Sequence, residues 1–268
     1  MSGSGGTSTE SGSLLLEAAS AVARLAGRVA LGFYRTGVAV EQKGDGSPVT
    51  VADRAAEQAA REWIEQRFPD DGILGEEFGV TRPDARRRWV LDPIDGTKTF
   101  VRGVPLWGTL VALCEGETVL AGAAYFPAVE ELVAAAPGEG CWWNGARCRV
   151  SDVSHLEKAT VLATDERMHG DVSRQAVWHR LAEDAYVSRT WGDCYGYLLV
   201  ATGRAEVMVD PIMNPWDACA LQPVIEEAGG VFTDWQGRRT AFGGDTIATN
   251  AALSRVVRVA LGAGDSDV

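Results

Sequence analysis

Residues 89–100 read WVLDPIDGTKTF, and the reading of this stretch decides both fold and chemistry. The apolar run Arg88 to Leu91 predicts a strand that ends by delivering Asp92 and Asp95, followed by Gly96 and Thr97. In α/β folds ligands collect at such strand ends. Glycine allows close backbone approach, and a helix starting there would aim the N–H groups of Gly96 and Thr97 at a phosphate. The same residues also suit an ordinary turn, where Asp and Gly are favoured for backbone reasons. Taken alone, the segment leaves both readings open.

Two outlying acids change that balance. Glu76 stands in GILGEEFG, 16 residues before Asp92, and Asp217 stands in NPWDACALQ, at the start of a predicted helix. Pro215 and Asp217 also suit a helix N-terminus for structural reasons alone. No single structural account covers all four acids, however. If Glu76, Asp92, Asp95 and Asp217 converge, they raise one another's pKa unless a cation neutralises them. Donors that are all oxygen select a hard ion, magnesium or manganese, over zinc. Spacing excludes other motifs: Ile94 occupies the position where an EF-hand or a DxDxT phosphatase needs an acid. The sequence holds no GxxxxGK[ST], HExxH or convincing GxSxG. His155, His169 and His179 lie away from these motifs and read as surface residues.

Around this centre, 268 residues with 46% hydrophobic content can fill a sizeable core. A net charge of -12 argues against a nucleic-acid partner, because phosphate backbones are held by clustered Lys and Arg. No apolar run is long enough to span a bilayer, and the N-terminus lacks the features of a signal peptide. The five cysteines are scattered, with no CxxC pair, which fits a reduced, cytoplasmic chain. Residues 1–12, rich in Gly, Ser and Thr, read as a disordered tail. Helical spacing predicts a first helix from Leu14 to Phe33 and, after the polar turn KGDGSP, a second from Asp53 to Phe68. Short apolar runs at 109–113, 119–126 and 131–136 then predict a meandering sheet. Beyond Ser151 strands and helices alternate, including one helix from Trp216 to Ala228, so the second half reads as α/β. The expected division is an α+β sub-domain over 13–150 carrying most of the acids and an α/β sub-domain over 151–268 completing the site.

GEE at 75–77, DPIDGT at 92–97 and WDACALQPVIEEAGG at 216–230, in that order, resemble the inositol monophosphatase superfamily over nearly the whole chain after the tail. The resemblance implies a layered αβαβα sandwich, often a homodimer. It implies a magnesium-dependent phosphate monoester hydrolase with two or three Mg2+ per site, Mn2+ being a possible substitute. Glu76, Asp92, the carbonyl of Ile94, Asp95 and Asp217 resemble the metal ligands. Glu76 and Thr97, paired with Asp53 from SPVTVADRAAE, resemble the group that orients and helps deprotonate the attacking water. Asp53 also reads as a helix cap. Where the family usually has Asn before Phe100, this chain has Thr99, which leaves metal binding intact.

Three segments are most similar to histidinol-phosphate phosphatases: FVRGVPLWGTL, TWGDCYGYLLVATGRAEV and VDPIMNPWD. By that similarity Asp193 and Asp210 face the non-phosphate end of the substrate, with Arg102 and Trp107 nearby, and two acids suit an ammonium and an imidazole. The structural alternatives are that Asp193 caps a helix and Asp210 closes a strand in a turn. Inositol monophosphate is the next substrate, since carboxylates also bind polyol hydroxyls. Some members of the superfamily also act as partner-binding regulators, but no acid of the ligand set is missing here.

Overall fold

Residues 108–115 carry two apolar faces: Leu110, Ala112 and Cys114 point into one core, Val111 and Leu113 into another. Side chains alternate along a strand with period two, so such a strand needs a helical layer on each side. The computed structural model describes residues 11–42, 44 and 48–263, and it supplies those layers.

In chain order the elements are α1 (Gly12–Leu31), β1 (Val40–Gln42), β2 (Pro48–Thr50), α2 (Val51–Arg67), β3 (Gly72–Gly75), β4 (Gly79–Thr81), β5 (Arg87–Asp95), α3 (Thr97–Val101), β6 (Gly108–Glu115), β7 (Thr118–Phe126), β8 (Glu131–Ala136), β9 (Gly140–Trp143) and β10 (Ala146–Arg147). The second half follows with β11 (Thr160–Ala163), α4 (Val172–Asp184), β12 (Val187–Arg189), α5 (Asp193–Ala201), β13 (Val207–Asp210), α6 (Pro215–Ala218), α7 (Leu221–Glu227), β14 (Gly230–Thr233), β15 (Thr246–Asn250) and α8 (Ser254–Leu261). Strands β5 to β8 form the expected antiparallel meander, which β9 and β10 continue; β3 adds in parallel beside β5, and β4, antiparallel to β3, makes an eight-stranded sheet. The second sheet has five strands in the order β12-β11-β13-β15-β14 and is mixed, with β15 antiparallel to both neighbours. The first sheet's last strand ends at Arg147 and the second sheet's first begins at Thr160.

Helices α1 and α2 cover the outer face of the large sheet, α5 and α7 fill the space between the sheets, and α4 and α8 cover the far face of the small one. The layers therefore run αβαβα. Small residues let α1 lie close: a Cβ on Gly27 would stand 2.6 Å from the Tyr125 ring. Residues 1–10 of the expected tail, and Lys43 and residues 45–47 of the KGDGSP turn, lie outside the described residues, and α1 begins at Gly12. The helix expected from Trp216 to Ala228 is divided into α6 and α7. Pro223 is the reason, because it has no N–H for the carbonyl of Cys219 and its ring crowds that position. Among the described residues no helix is long and apolar enough to cross a membrane, and all five cysteines are free thiols.

Candidate active site

Strand β5 places the two acids of the opening motif. It continues through Asp95 instead of ending at Leu91, with a break in its register against β6 between Asp92 and Asp95. Pro93 cannot donate to the ladder there, and the Asp92 carboxylate accepts the Ile94 N–H at 2.9 Å. Gly96 then turns the chain into α3 with a left-handed φ of 82°. A Cβ at Gly96 would lie 2.9 Å from Oδ2 of Asp193, so the turn tolerates glycine for both backbone and spatial reasons.

Three elements, the end of β3, strand β5 and helix α6, bring the four acids together. Asp92, Asp95 and Asp217 place carboxylate oxygens within 4.8 Å of one another. Glu76, just beyond β3, lines the same cavity of about 560 Å³ with Ile94, Gly96, Thr97, Lys98 and Asn214. Asp217 is held at the third position of α6 by the N–H of Asn214 at 2.7 Å. Burial, then the charges of Glu76, Asp95 and Asp217, holds the Asp92 carboxyl well above the usual range. Burial and the charges of Asp193 and Asp217 do the same to Asp95, offset in part by the Cys194 N–H, which donates to it at 2.6 Å. Burial pushes Asp217 up to about 6. Like charges at such distances demand protons or a cation. An oxygen-only donor set, with carboxylates destabilised by their neighbours, fits a hard divalent metal.

Thr97 and Asp53 do not pair as expected. The Thr97 hydroxyl has one proton and gives it to the nearby Ile94 carbonyl at 3.0 Å. Asp53 is the third residue of α2, and its Oδ2 accepts the N–H of Thr50 at 2.8 Å and its hydroxyl at 2.7 Å in a capping box. Its Oδ1 is buried with no hydrogen-bond partner. Burial raises the Asp53 carboxyl despite the two bonds from Thr50.

A smaller cavity of about 150 Å³ shares Asp95, Asp193 and Asp217 with the first and is closed by Thr164, Tyr197, Asp210 and Ile212. Asp193 does not cap α5 with its side chain. It adopts a left-handed φ of 50°, its N–H donates to Thr164 at 2.8 Å, and its Oδ2 accepts the Thr99 hydroxyl at 3.0 Å. Thr99, the departure from the usual Asn, thus steadies Asp193. Asp210 is buried at the end of β13, accepts from the Tyr197 hydroxyl at 2.9 Å, and has its carboxyl pushed up to about 7 by burial. Tyr197 also makes a short hydrogen bond with Thr246.

Two expected substrate contacts are corrected. Trp107 is fully buried, with Phe100 packed edge-on at 4.9 Å and Tyr34 at 5.6 Å, so it belongs to the core beneath α3. Its apolar ring favours that site although its Nε1 has no partner there. Trp107→Ala should therefore cost about 3–5 kcal/mol in chemical denaturation. A variant with unchanged stability and a raised KM would return Trp107 to the pocket. Arg102 donates to the Lys98 carbonyl at 3.1 Å at the exposed end of α3 and lines neither cavity. The C-terminal carbonyls of α3 attract its charge instead. Lys98, Asn214 and Tyr197 escaped the sequence reading; Lys98 alone carried a signal, a lone cation inside an acidic turn. The three histidines are exposed and line neither cavity.

The chain matches the model of the inositol monophosphatase family over residues 13–261. It is 42% identical to a histidinol-phosphatase of Chlorobaculum parvum over 94% of this chain and 98% of that protein. A histidinol-phosphatase of Mycobacterium tuberculosis is 37% identical over 84% of this chain and 88% of its own. Among solved structures, an inositol monophosphatase from Zymomonas mobilis superposes with a TM-score of 0.84 at 32% identity, covering 95% of this chain and all (100%) of that one. With the family model matched over nearly the whole chain, relatives 37–42% identical and the fold superposing on a solved member, the chain belongs to the inositol monophosphatase family and is a phosphatase of that family.

Proposed function

We propose that this protein hydrolyses L-histidinol phosphate to L-histidinol and phosphate with Mg2+, Mn2+ serving as a substitute. The observation that carries this reading is the small cavity beside the metal cradle. It is lined by Asp95, Asp193, Asp210 and Asp217 and by no Lys or Arg, a setting for the cationic end of an amino alcohol. The names of the two histidinol-phosphatase relatives support the same substrate.

Glu76, Asp92, Asp95, Asp217 and the Ile94 carbonyl would hold the cation. When bound, magnesium supplies Lewis acidity toward the phosphate and a more acidic water. An acidic cleft in a chain of net charge -12 repels a phosphate dianion, so the cation is also what admits the substrate. The N–H groups of Gly96 and Thr97, with Lys98 at the rim, orient the phosphate oxygens. Glu76 takes the proton of the attacking water, and the Thr97 hydroxyl oxygen, whose own proton goes to the Ile94 carbonyl, accepts from that water and holds it in line with the leaving oxygen. The bond from phosphorus to the alcohol oxygen breaks as the bond to water forms; the alkoxide takes a proton from a second water, and Glu76 returns its proton to the hydroxide left behind. No enzyme residue is phosphorylated.

The test is phosphate release from L-histidinol phosphate and inositol 1-phosphate side by side, with Mg2+ and with chelator. The expected outcome is a Mg2+-dependent kcat/KM at least about 100-fold higher for histidinol phosphate, as for a desolvated charge contact of about 3 kcal/mol. Equal or reversed values would transfer the small cavity to polyols. Hydrolysis undiminished by chelator would remove the metal.

A further inference from the structure

Behind the acidic cleft, α2 carries a carboxylate that none of the motifs accounts for. Glu57 is fully buried and is held against the turn that bears Glu76. Its Oε2 accepts the N–H of Glu77 at 2.7 Å, and its Oε1 accepts the N–H of Phe78 at 3.2 Å and Nε of Arg61 at 2.7 Å. Arg61 reaches over to the Thr81 hydroxyl at 2.7 Å and the Gly79 carbonyl at 2.5 Å, on the far side of the same turn. A Cβ at Gly75 would stand 2.0 Å from Glu57 Oε1, so the residue preceding Glu76 has to be glycine for the carboxylate to fit. From the other side the Glu76 N–H is tied to the Leu91 carbonyl, one residue before Asp92, at 3.1 Å.

A buried ion pair is a poor way to gain stability alone, since an apolar pair of the same shape does as well or better. What it does supply is direction: two backbone N–H groups fixed to one planar group leave the β3–β4 turn a single position. We propose that Glu57 is a positioning residue, which with Arg61 fixes the Glu76 carboxylate relative to Asp92 so that both can hold one cation. This rests on the reading of Glu76 as a ligand. Partners behind a ligand typically change metal affinity about 10–100-fold when removed.

The experiment measures Mn2+ affinity from the paramagnetic resonance signal of the free ion, with thermal melting in chelator as control. The proteins are wild type, Glu57→Gln, Glu57→Asp, Glu76→Gln and Glu57→Gln/Glu76→Gln. Glu57→Gln keeps the shape and exchanges one acceptor for a donor; it should weaken Mn2+ about tenfold or more. Glu57→Asp keeps the charge but falls one methylene short of the turn, and should weaken it at least as much. Because Glu57 acts through Glu76, Glu57→Gln should add nothing in the Glu76→Gln background. A lowered melting temperature with Mn2+ affinity within about twofold of wild type would reduce Glu57 to a structural role. Equal weakening in both backgrounds would also overturn the proposal, by removing Glu76 from its path. Wild-type affinity in Glu76→Gln would overturn the ligand reading itself, and Glu57 with it. Should Glu57→Asp fail to fold, the isosteric Gln variant decides.

Discussion

Asn at position 92 or 95 is expected to lower phosphate release at least about 10³-fold and, at the same time, to raise the melting temperature of the metal-free protein. The first effect follows from the stabilisation of several kcal/mol that a bound cation gives to developing phosphoryl charge. Asp92 is buried and lies among Glu76, Asp95 and Asp217, so an amide there loses a ligand without losing shape. The second effect has the opposite sign for the same reason. Without a cation each of these carboxylates sits in a field of like charges, and removing one relieves the others. Melting should therefore rise in chelator, and the increment that Mg2+ adds to wild type should shrink or vanish. Phosphate release and melting curves, with Mg2+ and with chelator, check both halves. Near-normal activity in both variants would sink the site, and a lower metal-free melting point would sink the account of its electrostatics.

Asp210 carries the second large expectation, a loss of stability with rising pH that its Asn variant lacks. Burial pushes its carboxyl up to about 7, against help from Thr164 and Tyr197, and the charges of Asp193 and Asp217 add to the rise. The folded pKa lies above the unfolded one, so the contribution is fully present below about pH 4 and is lost as pH rises through about 7. Three units correspond to a loss on the order of 4 kcal/mol. In chelator, wild type should lose stability relative to Asp210→Asn between pH 5 and pH 8 in chemical denaturation. Parallel profiles would mean that Asp210 ionises freely inside the fold. On the proposed assignment, an ammonium placed beside Asp210 favours its ionised form, so histidinol phosphate binding should release protons near neutrality, and inositol phosphate binding should not.

The two N-terminal helices, the meander and the four acids were legible because they depend on local pattern. Short, nearly unbroken apolar runs at 109–113 and 131–136, and helical spacing over residues 14–33, are what a strand buried on both faces and an amphipathic helix require. Asp92, Asp95, Asp217 and Glu76 stood out because no single structural account explains four acids at those places in apolar frames. The divided helix was missed although Pro223 was visible in the sequence, since the apolar pattern continues across it. Trp107 and Arg102 were misplaced for another reason. Segment similarity says which residues are near a site along the chain, but Trp107 lies 13 residues past Ile94 and three past Val104, with its ring turned into the core.

By itself the sequence determined the helices, the strands and the four acids set apart in apolar frames, because periodicity and local composition are properties of neighbouring residues; the αβαβα layering was implied only by the resemblance of three motifs to a family. Only the tertiary structure decided which acids share the small cavity with Asp210, that Thr99 holds Asp193 across 94 positions of chain, and that Glu57 stands behind Glu76. Those contacts join distant segments, and their distances are set by how the layers pack, which no local pattern encodes.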